Sequence, residues 1–205
     1  MHPKVLSAKG WRLVRDLVRA EVTAGWTLAG GTGLALQLGH RVSKDLDFFR
    51  VGPFVSEELA ARLGRVGPVD VLSRSAGTLH AALRGMRVSF LAAEAWLLFP
   101  GTTYRGLVVA DPRDIAAMKV VAIGGRGSRR DFVDLFFYLE SGSSLDGVFQ
   151  MIRRRFADID FNEYHLMRSL TFFEDAETEP MPRMLRRVTW SDVKKAIIAE
   201  VRRLS

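Results

Sequence analysis

Leu28-Ala-Gly-Gly-Thr-Gly-Leu-Ala-Leu-Gln-Leu-Gly-His-Arg-Val-Ser-Lys-Asp-Leu-Asp-Phe-Phe49 is the stretch whose reading decides the fold. Trp26 to Ala29 is a short apolar run that stops at Gly30-Gly31-Thr32, after which Leu34, Ala35 and Leu38 recur at helical spacing. Gly39 is a natural helix stop, and His40, Arg41, Ser43 and Lys44 then fall in a connection. Asp45-Leu-Asp-Phe-Phe49 begins an apolar run that reads as a strand. The order is strand, turn, helix, turn, strand.

Each end of this stretch carries chemistry. Side chains alternate across a strand, so Asp45 and Asp47 share one face while Leu46 and Phe48 take the other. Two carboxylates held side by side repel, and a divalent cation, a basic partner or water relieves them. Mg²⁺ takes one or two carboxylates together with phosphate oxygens, which makes an Asp-x-Asp strand a candidate phosphoryl-transfer site. Glycines at a helix start let the backbone approach a ligand, and the free N–H groups there favour phosphate. Gly30-Gly31-Thr32 is nevertheless neither a Walker loop nor Gly-x-Gly-x-x-Gly, because Leu36 stands where a third glycine would be. The plain alternatives are a solvated acid pair and a Thr-capped turn without ligand.

Working outward, 205 residues with 48% hydrophobic content suffice for one core with a helical extension, or for two small lobes. Cysteine is absent, which excludes disulfide scaffolds and thiolate zinc sites and suits a reducing cytoplasm. No apolar run approaches the roughly 20 residues a bilayer-spanning helix needs, so no membrane partner is expected. Net charge is +7, carried mostly by arginine, whose fork suits bidentate phosphate contacts; a nucleotide or nucleic-acid partner is favoured, although a GC-rich genome also raises arginine.

The first 24 residues read as one or two helices packing Trp11, Val14, Leu17 and Val18, with Arg12, Arg15 and Arg19 on a solvated face. Gly52-Pro53 breaks the chain, and Ser56 is placed to cap a helix reaching about Val66. Three short runs, Val69–Leu72, Thr78–Leu83 and Met86–Leu91, are separated by Ser75-Ala76-Gly77 and Arg84-Gly85 and predict an antiparallel meander. His80 lies alone on an apolar strand, where a structural role outweighs a metal role. Ala95 to Pro100 reads as an apolar linker and Gly106 to Ala110 as a last strand. Asp111-Pro112 then starts a helix that carries Ile115, Met118, Val121 and Ala122 inward, with Lys119 in the midst of that apolar stretch; a buried lysine needs a negative partner unless it snorkels. Asp131 and Asp134 share one face of the next helix, close to Arg126, Arg129 and Arg130. Helices follow over Ser143–Ala157, Asn162–Glu174 and Ser191–Leu204, with Asp175 to Pro182 as a linker and Arg153-Arg154-Arg155 as a candidate nucleic-acid patch.

Gly30-Gly31-Thr32, the apolar helix, Gly39-His40-Arg41, Ser43 and Asp45-Leu46-Asp47-Phe48-Phe49 together resemble the nucleotidyltransferase signature of the AbiEii abortive-infection toxin family, a branch of the DNA polymerase β-like superfamily. The segment from Asp114 through Lys119 resembles the family's lysine-bearing helix, and Arg130-Asp131-x-x-Asp134-Leu135 its Arg-Asp-x-x-Asp-Leu element. The resemblance implies an α+β fold: a nucleotidyltransferase core, a small mixed sheet with flanking helices, over 1–110, then a mainly helical lobe over 111–205. It implies Mg²⁺ on Asp45 and Asp47, and nucleotide contacts from Gly30, Gly31, Thr32, Arg41, Ser43, Lys44, Arg126 and Arg130. Lys119 would neutralise charge on the phosphates, Asp131 would act as base or orienting acid, and Asp134 would assist it. The reaction implied is transfer of a nucleoside monophosphate from an NTP to an acceptor hydroxyl, on RNA such as a tRNA 3′ end or on protein, with a cognate antitoxin as partner. Many of these enzymes place a third carboxylate on the strand after the Asp-x-Asp strand, and Ser89 occupies that place here. This departure motivates the alternative of a non-catalytic module binding nucleotide, RNA or protein. For the enzyme, Lys119 and Asp131 should face Asp45 and Asp47 across one cleft.

Overall fold

The computed structural model describes residues 1–93, 97–157 and 162–204. Helix α1 (Ala8–Arg19) starts where the Ser7 hydroxyl accepts the Gly10 N–H at 3.1 Å, and it buries Leu13, Val14 and Leu17. After the two-residue strand β1 (Thr27–Leu28), helix α2 (Gly30–Leu38) begins directly at the glycines and ends at Gly39, whose φ of 66° is the left-handed stop expected of it. Strand β2 (Asp45–Val51) follows, and helix α3 (Ser56–Gly64) covers the sheet. Ser56 lies inside α3 and its hydroxyl donates to Glu57, so it does not cap the helix; Val55 holds the cap position without a side-chain bond.

The expected meander is β3 (Val69–Ser75), β4 (Thr78–Leu83) and β5 (Met86–Ala93). Strand β7 (Leu107–Val109) is the last strand; β6 (Thr102–Tyr104), too short to announce itself in the sequence, pairs with it through Arg105-Gly106. Of the apolar linker read at Ala95 to Pro100, residues 95 and 96 lie outside the described residues. The seven strands form one mixed sheet in the order β3-β4-β5-β2-β1-β7-β6, with β2 parallel to β5 and β1 parallel to β7. The architecture is α+β, as the resemblance implies.

Sheet alternation then divides the chemistry. Leu46 and Phe48 of β2 and Val88 and Phe90 of β5 are fully buried on one face, where Phe48 stacks on Phe90 at 5.1 Å and Trp26 meets Phe90 edge-on at 4.9 Å. Asp45, Asp47, Arg87 and Ser89 occupy the other face, and the parallel register sets Asp45 opposite Arg87 and Asp47 opposite Ser89. That second face is roofed by helices α4 (Pro112–Arg126) and α5 (Arg129–Glu140), behind which pack α6 (Leu145–Arg155), α7 (Glu163–Ser169), α8 (Glu174–Glu177) and α9 (Trp190–Leu204). One apolar core lies among α1, α3 and the sheet and the other among the later helices, with α2 contributing Ala35 and Leu36 to the first and Leu34 to the second.

Three further expectations fail for physical reasons. In α4, Ile115 is buried with Ala116, Ala117, Val120 and Ile123, whereas Val121 is 39% exposed; Met118 and Ala122 are half-buried beside Lys119. Asp175 to Pro182 is no linker: Ala176 is buried, its carbonyl accepts from Arg129 Nε at 2.7 Å, and the Glu179 carboxylate accepts the Arg129 N–H at 2.9 Å, supplying the anion that the start of α5 favours. The Arg153-Arg154-Arg155 run is no continuous patch, because the Arg155 side chain is 5% exposed, 3.9 Å from Asp114, and Arg153 pairs with Glu163 at 2.5 Å. No helix among the described residues is long and apolar enough to cross a membrane.

Replacing Phe90 by alanine removes the ring shared by Phe48 and Trp26. The expected cost is about 3–5 kcal/mol, read as a lower urea midpoint at unchanged m-value.

Candidate active site

Asp45 and Asp47 open onto a cavity of about 500 Å³ between the sheet and helices α4 and α5. Its walls include Gly30, Gly31, Thr32, Arg41, Ser43, Arg87, Ser89, His80, Lys119, Arg126, Arg130 and Asp131. Lys119 and Asp131 therefore do face the Asp pair across one cleft. Five guanidinium or ammonium groups meet three carboxylates in this lining, so it suits an anion. Of the nucleotide contacts expected, Lys44 alone is absent from the cavity; its side chain is exposed to solvent.

Local structure explains the glycines. A Cβ on Gly30, whose φ is +56°, would lie 2.8 Å from Asp47 Oδ2, and one on Gly31 would collide with the Arg41 guanidinium. The helix start is thus pressed against the carboxylate strand on one side and the arginine on the other. Thr32 completes the turn: its hydroxyl hydrogen-bonds Ser43 Oγ at 2.6 Å and the Asp45 carbonyl, tying α2 to β2. The connection holding Arg41 is pinned from afar, since Val42 N–H donates to the Arg183 carbonyl at 2.8 Å and the His40 carbonyl accepts from Leu185 at 2.8 Å.

Beneath the cavity wall, Asp134 is fully buried. Arg41 donates to it from Nε at 2.6 Å and from Nη2 at 2.8 Å, His40 Nε2 lies 2.7 Å away, and Lys119 Nζ lies 2.6 Å from Oδ2. Burial alone would raise the Asp134 carboxyl, but Arg41 and Lys119 outweigh it and hold it well below the usual carboxylate range. Burial likewise opposes the Lys119 ammonium, yet Asp134 and Asp131 keep it above its ordinary value, and it donates to Asp131 at 2.6 Å. His40 is pushed down by burial, so it stands neutral and donates to Asp134 from Nε2. Asp131 also receives Arg126 at 3.2 Å, and Arg130 reaches over the mouth to Asp45 at 3.2 Å. Burial raises Asp47, an effect that Asp45 reinforces and the facing Ser89 hydroxyl opposes.

Two hard oxygen donors on one strand face, one of them disfavoured as a lone anion, fit a small dication that takes one or two carboxylates and completes its shell with water and phosphate. Among the described residues no group of three or more His, Asp or Glu could hold a metal by itself. Sequence reasoning passed over Arg87, which shares its strand face with Ser89 at period two but becomes a site residue only once β5 is known to lie parallel beside β2. It also gave Asp134 an assisting part, where the structure makes it the anchor of three cations or donors.

An Asp-x-Asp strand and a glycine helix start sharing a cationic cavity, on this sheet, define the protein as a nucleotidyltransferase. The chain belongs to the AbiEii family: the family model described as nucleotidyl transferase AbiEii toxin, type IV toxin–antitoxin system, matches residues 11–100 and 69–203. It is 37% identical over 157 residues to the uncharacterized protein aq_aa25 of Aquifex aeolicus (strain VF5), covering 74% of this chain and 75% of that one. The fold is similar to that of JHP933 from Helicobacter pylori, with a TM-score of 0.57 at 16% identity over 97% of this chain and 93% of the other. It is also similar to the antibiotic-resistance factor ANT(2'')-Ia, with a TM-score of 0.54 at 14% identity over 70% and 89% of the two chains. Family membership decides against a binding-only module.

Asp134→Asn leaves Arg41 and Lys119 short of a buried counter-charge and should cost about 3–5 kcal/mol at pH 7. Because the folded state holds this carboxyl below its unfolded value, its stabilisation is present above that value, about 3.9, and is lost as pH falls through the folded pKa. The gap between wild type and variant in urea unfolding should therefore be constant from about pH 7 to 5 and narrow below about pH 4.

Proposed function

We propose that the protein transfers a nucleoside monophosphate from an NTP to a hydroxyl of RNA, the 3′ end of a tRNA being the acceptor that the family resemblance suggests. The observation that carries this reading is the shared cavity, whose lining combines the two carboxylates Asp45 and Asp47 with Lys119 and four arginines. In the reaction the acceptor oxygen bonds to the α-phosphorus, the bond to the bridging oxygen breaks, and pyrophosphate leaves. Nothing in it calls for a protein nucleophile, which suits a site built for positioning and charge stabilisation.

Asp45 and Asp47 would hold Mg²⁺, which when bound supplies Lewis-acid polarisation of phosphate oxygens. The N–H groups at Gly30, Gly31 and Thr32 would receive phosphate oxygens, as a helix start does. Lys119, Arg126 and Arg130 would neutralise the triphosphate. Arg41 would serve through its position under Gly31, and Ser43 by holding Thr32. Asp131, 2% exposed and bound to Lys119 and Arg126, is better suited to orient these cations than to take a proton. Exposed Arg87, Arg126 and Arg130 at the rim favour a polynucleotide acceptor. We also propose that residues 1–110 and 111–205 act as core and lobe of this cleft, that the protein works in the cytoplasm, and that its cognate antitoxin counters it.

Incubation with α-labelled NTPs, Mg²⁺ and total RNA tests the chemistry. Label should enter RNA with wild type and disappear with Asp47→Ala; label on protein would reassign the acceptor, and no transfer with any of the four NTPs would reject the reading. A second measurement concerns stability. Since burial and Asp45 raise Asp47, its ionisation costs stability above the unfolded pKa, so Asp47→Asn should raise Tm at pH 7. Mg²⁺ should raise Tm of wild type and leave that of the variant unchanged.

A further inference from the structure

Across three strands on the cavity face, Asp47, Ser89 and His80 form a row: Asp47 is in register with Ser89, and Ser89 with His80. All three line the cavity. The Ser89 hydroxyl, in the place where a third carboxylate was expected, lies 3.0 Å from His80 Nδ1. It has one proton to give. Asp47 stands in register beside it on the same face, and a carboxylate can only accept, so that proton turns toward Asp47. The imidazole must then donate from Nδ1 into Ser89 Oγ, a choice of tautomer that leaves Nε2 as the nitrogen with a free lone pair. Among the described residues Nε2 has no hydrogen-bond partner, while the ring stands half-buried at the cavity wall.

We propose that His80 is the general base of the transfer, with Ser89 as the positioning residue that sets its tautomer. This rests on the nucleotidyl-transfer reading above and adds to it the group that accepts the proton. The acceptor O–H proton passes to His80 Nε2 as the oxygen–phosphorus bond forms and the bond to pyrophosphate breaks; no other reactant is needed. Asp131 is less suited to the same part, since Lys119 and Arg126 each hold one of its oxygens.

Single-turnover transfer of α-labelled NTP to total RNA, with NTP affinity measured separately, tests the assignment. His80→Ala should lower the rate of transfer about 100-fold or more with NTP affinity within about twofold of wild type, and added imidazole should restore part of the rate. Ser89→Ala should lower the rate less, and Ser89→Asp placed on His80→Ala should recover activity by supplying a carboxylate base. His80→Ala that folds by circular dichroism, binds NTP and transfers label at the wild-type rate would overturn the proposal. So would a slow variant that neither imidazole nor Ser89→Asp improves. Absence of transfer by wild type would instead reject the underlying reaction, so the two failures are distinguishable.

Discussion

The buried carboxylate of Asp134 is the interaction on which the rest of this structure depends. It sits at 0% exposure and gathers Arg41 and His40 from the connection after α2, and Lys119 from α4, onto α5. A buried anion is tolerable only when it is paired and hydrogen-bonded, and here every partner also has a place at or beneath the cavity. Arg41 packs directly against Gly31 to reach it, which requires the absence of a side chain there. Lys119 divides its ammonium between Asp134 and Asp131, so that its charge is maintained in a nearly closed environment. The helical part is thereby locked to the sheet by groups that the site itself uses.

A division of electrostatic labour follows. Below the wall, charges are matched and hydrogen-bonded, which makes them rigid. At the mouth, Arg126 and Arg130 keep side-chain exposures of 69% and 51% and touch Asp131 and Asp45 only at 3.2 Å. Such exposed pairs are weak and can exchange one anion for another at little cost. Opposite them Asp47 is held in surroundings that disfavour its lone charge, so the cavity stores a small penalty that a bound cation would relieve. The site is firm where it must position groups and unsatisfied where it must receive them.

Family resemblance and physical reading support each other at different points of the chain. The register of β5 against β2 puts Ser89 beside Asp47, on the strand where the resemblance implies a third acid. The same register, continued to β4, brings His80 to the cavity wall, although in the sequence it is one histidine without visible partners. Its partner was Ser89, nine residues along the chain and one strand away.

Period-two alternation at Asp45 to Phe49, the left-handed stop at Gly39, the Asp111-Pro112 helix start and the meander turns were all decided by the sequence itself. They depend on backbone preferences and on which side of an element must be dry, and these are local quantities. Only the tertiary structure decided that β5 runs parallel beside β2, that Arg87 enters the cavity lining while Lys44 stays outside it, and that Arg155 turns inward from the basic run. It alone decided that residues 183–186 clamp the Gly-His-Arg turn and that Asp134 is the anchor. The physical reason is the same in each case. Long-range pairing is chosen by the burial of whole faces and by the cost of an unpaired buried charge, and both are properties of the assembled fold, not of any one stretch of chain.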